Sequence, residues 1–110
     1  MPFQLVQFLR DTIVSVEQAE ILLLLYQESG RSWSAQQVAM RLRFQAASVQ
    51  SRLEDLHAKG MCILANAEPQ AYCYQAMTPL DDASVRMLDE AYKTRRDAVI
   101  AAILEARSGL

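Results

Sequence analysis

Residues 33–61, WSAQQVAMRLRFQAASVQSRLEDLHAKGM, decide the fold of this chain because they predict two short helices joined by a tight connection. The Ser-Ala-Gln-Gln run that begins at Ser34 has the spacing of a capping box, which predicts a helix to about Leu42. A second helix is predicted over about 46–59, since its valine and leucines recur on one face. Gly60 is expected to end this helix, because glycine readily adopts the left-handed conformation of a helix C-terminus.

Two further helices are predicted before this segment. An amphipathic helix is expected over 3–13. A second capping-box pattern, in which Gln18 reaches back to Ser15, predicts a helix over 16–28. This helix contains the run ILLLL at 21–25 and is apolar nearly all round, which is typical of the buried centre of a small bundle.

The segment that follows these helices predicts strands. Two short runs with β-favouring residues lie within 61–77 and flank a turn, which predicts an antiparallel hairpin. The expected register places Cys73 opposite Leu64 and Cys62 opposite Gln75. The two cysteines are then diagonal and not directly paired, so we expect free thiols.

The last part of the chain predicts one long, uninterrupted helix. Thr78 and Pro79 form a typical helix start, and the helix is expected to run from about Leu80 to Arg107. Its stretch AVIAAIL, residues 98–104, is apolar on every side and needs something to pack against. The candidates are the first helix, a second subunit, or both, and a symmetric dimer interface is the preferred interpretation. The expected interface residues are Tyr92, Val99, Ile100, Ile103 and Leu104.

Composition and charge exclude several classes of protein. The 110 residues carry 11 Lys plus Arg and 13 Asp plus Glu, and 52% of them are hydrophobic, which fits one globular domain. No apolar run approaches a membrane span and the N-terminus lacks a secretory signal, so we expect a bacterial-type cytoplasmic protein with no membrane partner. With one histidine, His57, and three widely spaced glycines, we expect no enzyme, no metal site and no cofactor.

Two other features are interpreted structurally. Trp33 precedes the Ser34 helix and is expected to pack, or to pair with the hairpin. The basic cluster KTRR at 93–96 is surrounded by acidic residues, so the preferred interpretation is a set of ion pairs on a solvated helix face. The alternative is contact with a partner protein or a phosphate.

The order of helices followed by a hairpin resembles the winged helix-turn-helix of MarR-type and related bacterial regulators. The matching residues are Ser34, Val38, Ala39, Ser48, Val49, Leu53, Leu56 and the exit Lys59-Gly60-Met61. The resemblance implies a mainly α fold with a small β-hairpin (α+β) in a single domain. Its parts would be an N-terminal helix (1–14), a winged helix-turn-helix core (15–77) and a C-terminal helix for dimerisation (78–110).

The resemblance also implies a role in DNA binding. In that family the third helix, here about 46–59, enters the major groove. By position, the implied base contacts are Gln45, Ala47, Ser48, Gln50 and Ser51. The implied phosphate contacts are Arg31, Arg41, Arg43, Arg52 and Lys59. The first interpretation is therefore a small dimeric transcriptional regulator that binds double-stranded DNA.

Charge supports this interpretation in one region and opposes it in another. Residues 31–60 carry five basic and two acidic residues, a balance of +3, whereas residues 61–77 contain no Lys or Arg. Nucleic-acid-binding surfaces are basic, so the hairpin is a poor DNA contact. The alternative is a winged-helix module that binds another protein and not DNA. The two interpretations differ at Arg41, Arg43 and Arg52. The first needs them exposed on one face shared across a dimer, and the second needs them paired with Glu54, Asp55 or the last helix.

Overall fold

A computed structural model describes residues 1–108, which form six helices and one two-stranded antiparallel sheet. The elements in chain order are α1 (Phe3–Thr12), α2 (Val16–Gln27), α3 (Ala35–Leu42), α4 (Ala46–Ala58), β1 (Cys62–Ala67), β2 (Gln70–Tyr74), α5 (Pro79–Thr94) and α6 (Arg96–Arg107). The chain is thus mainly helical with a small hairpin, which confirms the α+β class. The last two residues of the predicted segment 78–110 lie outside the described residues.

Helix α2 forms the centre of the core, as its sequence predicts. Every residue of 21–25 is at most 5% exposed. Helices α3, α4, α5 and α6 and strand β2 all contact α2. A helix that is apolar on all sides is stable in water only when it is surrounded in this way. It has 12 residues, and among residues 1–108 no helix is long and apolar enough to cross a membrane.

Polar caps place the starts of α2 and α3. At α3 the capping box is complete, because Ser34 Oγ accepts a bond from the Gln37 N–H and the Gln37 side chain accepts one from the Ser34 N–H. At α2, Ser15 Oγ accepts a bond from the N–H of Gln18. The Gln18 side chain, however, accepts from the N–H of Val14 and not from that of Ser15. The predicted reciprocal bond at α2 is therefore wrong by one residue.

The connection between α3 and α4 is short and tightly bonded. Arg43 ends α3 with φ 64° and ψ 45°, in the left-handed region. The N–H of Phe44 donates to the carbonyl of Ala39 at 3.0 Å, which closes the end of α3. At the other end of α4, Gly60 has φ 79°, as predicted, and a Cβ there would lie 3.0 Å from the Met77 side chain. Both ends of α4 are therefore fixed by local backbone geometry.

The hairpin contains a bulge that shifts its register. Cys73 lies opposite Ile63 and not Leu64, and Cys62 lies opposite Tyr74, one residue earlier than predicted. The reason is one extra residue in β1 immediately after Leu64, which a single strand pattern does not reveal. Both cysteines are free, as predicted.

Trp33 pairs with the hairpin. The backbone N–H of Trp33 donates to the carbonyl of Tyr72 at 2.8 Å, and the backbone N–H of Tyr72 donates to the carbonyl of Trp33 at 2.7 Å. Both side chains are 2% exposed. This antiparallel bridge confirms the predicted pairing and holds the start of α3 beside β2.

The prediction of one continuous helix from Leu80 to Arg107 is wrong. Arg95 has φ −143° and ψ 54°, outside the helical region, and separates α5 from α6. Because the chain bends there, α6 packs against both α1 and α5. Val99 and Ile103 are then fully buried. A straight helix would carry these apolar side chains away from the core, so their burial favours the bend.

Candidate nucleic-acid interface

The first turns of α4 present an uncharged, partly exposed surface. Gln45, Ala47 and Ser51 are exposed, whereas Ser48 and Gln50 are half-buried. Gln45 is the N-cap residue, and its side chain makes no capping hydrogen bond. Three of the five predicted base-contact residues are therefore accessible to a ligand.

The other two predicted base-contact residues are held by bonds inside the protein. The hydroxyl of Ser48 donates to Glu17 Oε1 on α2 at 2.6 Å. The amide of Gln50 donates to Glu54 Oε2 and to Gln70 Oε1, both at 2.9 Å. These bonds connect α4 to α2 and to the hairpin, so both side chains already serve the fold.

Two of the predicted phosphate-contact arginines are paired with carboxylates of α2 and its C-cap. Arg52 Nε lies 3.1 Å from Glu17 Oε1, with the two side chains 35% and 23% exposed. Arg41 Nη2 lies 3.4 Å from Glu28 Oε2, and this pair is more exposed. Arg52 is therefore held more firmly than Arg41.

Lys59 connects the end of α4 to α1. Its ammonium donates to the carbonyl of Thr12 at 2.7 Å and lies 2.8 Å from Asp55 Oδ2. The same carboxylate oxygen accepts a bond from the buried Gln18 amide at 2.8 Å. Burial raises the pKa of Asp55, but the bonds from Gln18 and Lys59 and the charges of Lys59 and Arg52 outweigh it, so the pKa lies below its ordinary value. Lys59 is thus part of a structural network.

Arg31 and Arg43 have no carboxylate partner within residues 1–108. The guanidinium carbon of Arg31 lies 3.9 Å from the centre of the Trp33 ring, and that of Arg41 lies 5.8 Å from it. Such cation–π contacts leave the charge available to solvent. Arg43 is exposed at the left-handed turn between α3 and α4. Of the five predicted phosphate contacts, only Arg31 and Arg43 are therefore free of a carboxylate partner in the described part of the chain, and they lie just before and just after α3.

The histidine and the cysteines form no reactive arrangement. His57 is exposed, with its ring 6.0 Å from that of Tyr72. Burial, together with the nearby Cys73, raises the pKa of the Cys62 thiol to about 12. In the part of the chain that the structure describes, no three His, Cys, Asp or Glu side chains are grouped so as to hold a metal ion.

The predicted dimer-interface residues are divided between core and surface. Val99 and Ile103 are fully buried within the protomer and, contrary to the prediction, offer nothing to a partner. Tyr92 and Ile100 are half-buried, and Leu104 is 59% exposed. The apolar stretch 98–104 packs on the protomer's own helices. Of the predicted interface residues in it, only Ile100 and Leu104 remain accessible.

Tyr92 and the basic cluster at 93–96 are engaged in intramolecular bonds. The Tyr92 hydroxyl donates to Glu20 Oε2 at 2.5 Å, and Arg96 Nη2 lies 3.1 Å from the same oxygen. Burial and the bond to Glu20 raise the pKa of Tyr92 to about 12. Lys93 Nζ lies 2.9 Å from Asp89 Oδ2, four residues before it. Lys93 is therefore paired within its own helix, as predicted, whereas Arg96 pairs with Glu20 of α2 and not with an acidic neighbour in the sequence.

The sequence interpretation missed the acidic residues at one edge of the α2 region. Glu17, Glu20 and Glu28 pair with Arg52, Arg96 and Arg41 respectively. Their spacing places all three on the same side of a helix, which marks a polar edge on an otherwise buried element. That spacing is the signal from which these partners could have been found.

Comparisons with protein families, curated proteins and solved structures found no match to this chain. The function is therefore inferred from the geometry of α3, α4 and the hairpin.

Proposed function

We propose that residues 15–77 form a winged helix that binds double-stranded DNA as a transcriptional regulator, with α4 in the major groove. The chain order supports this proposal, because α2, α3 and α4 are followed directly by the β1–β2 hairpin. A single bridge between Trp33 and Tyr72 connects the segment before α3 to that hairpin. A helix-turn-helix with this tight connection presents its second helix to the groove.

The observation that carries the proposal is the exposed surface at the α3–α4 turn. Gln45, Ala47 and Ser51 are accessible there together with the exposed Arg43, and Arg31 is exposed just before the start of α3. A glutamine amide bonds the edge of adenine, and a serine hydroxyl bonds several bases. Arginines without a carboxylate partner are available to phosphates, which position the protein on the duplex.

Arg41 adds a third phosphate contact. It is 50% exposed and its partner Glu28 is 36% exposed, at a separation of 3.4 Å. Exposed ion pairs contribute only about 0–1 kcal/mol, so Arg41 can exchange its carboxylate for a phosphate at little cost. Arg52 and Lys59 remain in their structural pairs. We therefore expect contacts from Arg31, Arg41 and Arg43 and none from the uncharged hairpin.

Three contacts per protomer require a dimer for useful affinity. The proposal includes a homodimer formed through the α6 surface that carries Ile100 and Leu104. Since log K falls with log salt by about 0.9 per phosphate contact, the expected slope is about −3 for a protomer and about −5 for a dimer.

Binding to a labelled random-sequence duplex across a salt series tests this proposal. We expect steep salt dependence, and Arg43→Ala and Arg31→Ala should each reduce the slope of each protomer by about 1. Arg10→Ala is the matched control, because Arg10 is an exposed arginine on α1 and should leave the slope unchanged. A folded protein that binds no duplex even at low salt would contradict the proposal.

A second candidate function is a winged-helix module that binds another protein and not DNA. The pairing of Arg41, Arg52 and Lys59 with carboxylates favours it, because it removes three positive charges from the expected DNA surface. The exposed Ile63 and Leu64 of the hairpin also suit a protein partner. In this case neither the unmodified chain nor the Arg43→Ala variant would bind the duplex at any salt concentration in the series.

A further inference from the structure

An apolar groove lies between α1 and the start of α5. It has a volume of about 400 Å³, and none of its lining residues belongs to α3, α4 or the hairpin. Its lining includes the exposed Phe3 and Leu80, one from each helix, and the buried Phe8. The amide of Gln4 donates to the hydroxyl of the buried Ser84 at 3.1 Å and holds the two helices together beside the groove. The groove is therefore part of the folded protomer.

The two apolar side chains that flank this groove are unusually exposed. Phe3 is 80% exposed and Leu80 is 64% exposed. Covering an exposed apolar side chain of this size favours association, because it removes apolar surface from water. Two such side chains around one concave surface are typical of a place where another molecule docks.

The rim of the groove is acidic. Asp11 and Asp81 line it, and no Lys or Arg does. Asp11 accepts bonds from the Gln7 amide, both at 3.1 Å, and within residues 1–108 neither aspartate takes part in an ion pair. A ligand in the groove therefore meets two carboxylates that form no ion pair within the described residues, beside an apolar surface.

We propose that this groove binds an amphipathic helix of a partner protein, with apolar side chains seated between Phe3 and Leu80 and with Lys or Arg beside Asp11 and Asp81. Helices that dock in grooves present apolar residues at i, i+4 and i+7 and leave their flanks free for such charges. A second copy docked through the same face by a two-fold axis would bring the aspartates of both protomers together. Charge complementarity therefore selects a basic partner over a second copy. This proposal goes beyond DNA binding and does not depend on it.

The test measures binding of the full chain to two dye-labelled helical peptides by fluorescence anisotropy. The peptides share apolar residues at i, i+4 and i+7 and differ only in their flanking charges, which are Lys in one and Glu in the other. We expect the Lys peptide to bind at least about tenfold more tightly, because opposite charges across an interface favour association. This preference should shrink at high salt, where exposed charges are screened.

Variants place the binding in the groove. We expect Phe3→Ser and Leu80→Gln each to weaken binding of the Lys peptide by about tenfold, because each removes an apolar anchor. Asp81→Asn should reduce the preference for Lys over Glu. Met40→Gln is the matched control, since Met40 is an equally exposed apolar residue on α3 and should leave peptide affinity unchanged. Thermal unfolding followed by circular dichroism checks that each variant is folded.

Three results would overturn the proposal: no binding of either peptide, equal binding of both, or binding that Phe3→Ser does not weaken. A dimer that dissociates on Phe3→Ser, as measured by light scattering, would identify a second copy as the occupant and would also overturn it. Duplex binding by the Phe3→Ser variant should match that of the unmodified chain. Failure of the groove proposal is thereby distinguishable from failure of the DNA proposal.

Discussion

Two apolar stretches of similar composition lie in different environments in the folded protein. The run 21–25 in α2 is buried at every position, whereas in 98–104 of α6 Val99 and Ile103 are fully buried and Leu104 is 59% exposed. Helix α2 is surrounded by four helices and a strand, but α6 rests mainly on α1 and α5 and keeps an open side. Apolar composition therefore predicts that a helix packs, and the number of neighbours decides how many of its faces are covered.

The comparison predicts its largest effect at the centre of α2. We expect Leu22→Ala to lower the free energy of unfolding by about 2–5 kcal/mol, because a fully buried leucine leaves a cavity that its neighbours cannot fill. Urea unfolding followed by circular dichroism measures the change. A loss below about 1 kcal/mol would show that the centre of α2 relaxes around the cavity.

A pair of adjacent substitutions sharpens the comparison within α6. We expect Ile103→Ala to cost about 2–4 kcal/mol in unfolding free energy, because Ile103 is fully buried. Leu104→Ala should change it by less than about 0.5 kcal/mol, since Leu104 lies on the open side. Under the proposed dimer, Leu104→Ala should instead raise the dimer dissociation constant, measured by sedimentation. Equal stability losses at both positions would contradict the division of α6 into a buried and an open side.

The buried Gln18 at the start of α2 predicts a smaller effect. Gln18 is fully buried, and its amide donates to Asp55 Oδ2 at 2.8 Å and to the carbonyl of Arg52 at 3.3 Å. We expect Gln18→Ala to cost about 1–3 kcal/mol, because it leaves polar groups on α4 without their partner. Gln36→Ala, at an exposed position of α3, is the control and should be close to neutral. Chemical unfolding of both variants tests the difference.

The smallest expected effect concerns pH. Because the folded-state pKa of Asp55 is below its ordinary value, its stabilising contribution is present above the unfolded-state pKa of about 4 and is lost as the pH falls through the folded-state pKa. We expect Asp55→Asn to reduce the loss of stability on acidification below about pH 4. Thermal unfolding at a series of pH values measures this. The exposed Glu105→Gln is the control, and identical pH profiles for all three proteins would exclude a role for the Asp55 network.

Much of the fold was predictable from residues that act on their immediate neighbours. The start of α3 follows from Ser34, and the end of α4 follows from Gly60. The start of α5 follows from Thr78, whose hydroxyl accepts a bond from the N–H of Asp81 at 3.1 Å. The bend at Arg95 was not predictable in this way. No proline or glycine marks it, and it is favoured by the burial of side chains that follow it in the chain.

The candidate site was predictable only in part. The position of α4 and the exposure of Gln45, Ala47 and Ser51 follow from the helical periodicity of 46–59. The periodicity does not reveal the hydrogen bonds of Ser48 and Arg52, because both side chains bind Glu17, which lies more than thirty residues earlier in the chain.

The sequence by itself determined the starts of α2, α3 and α5, the end of α4, the burial of α2 and the presence of the hairpin, because caps, periodicity and turns depend on residues a few positions apart. The tertiary structure decided which basic residues remain available, where the last helix bends, and that Phe3 and Leu80 flank one acidic-rimmed groove. The physical reason is distance along the chain. Ion pairs, core contacts and grooves form between segments that only the packed fold brings together.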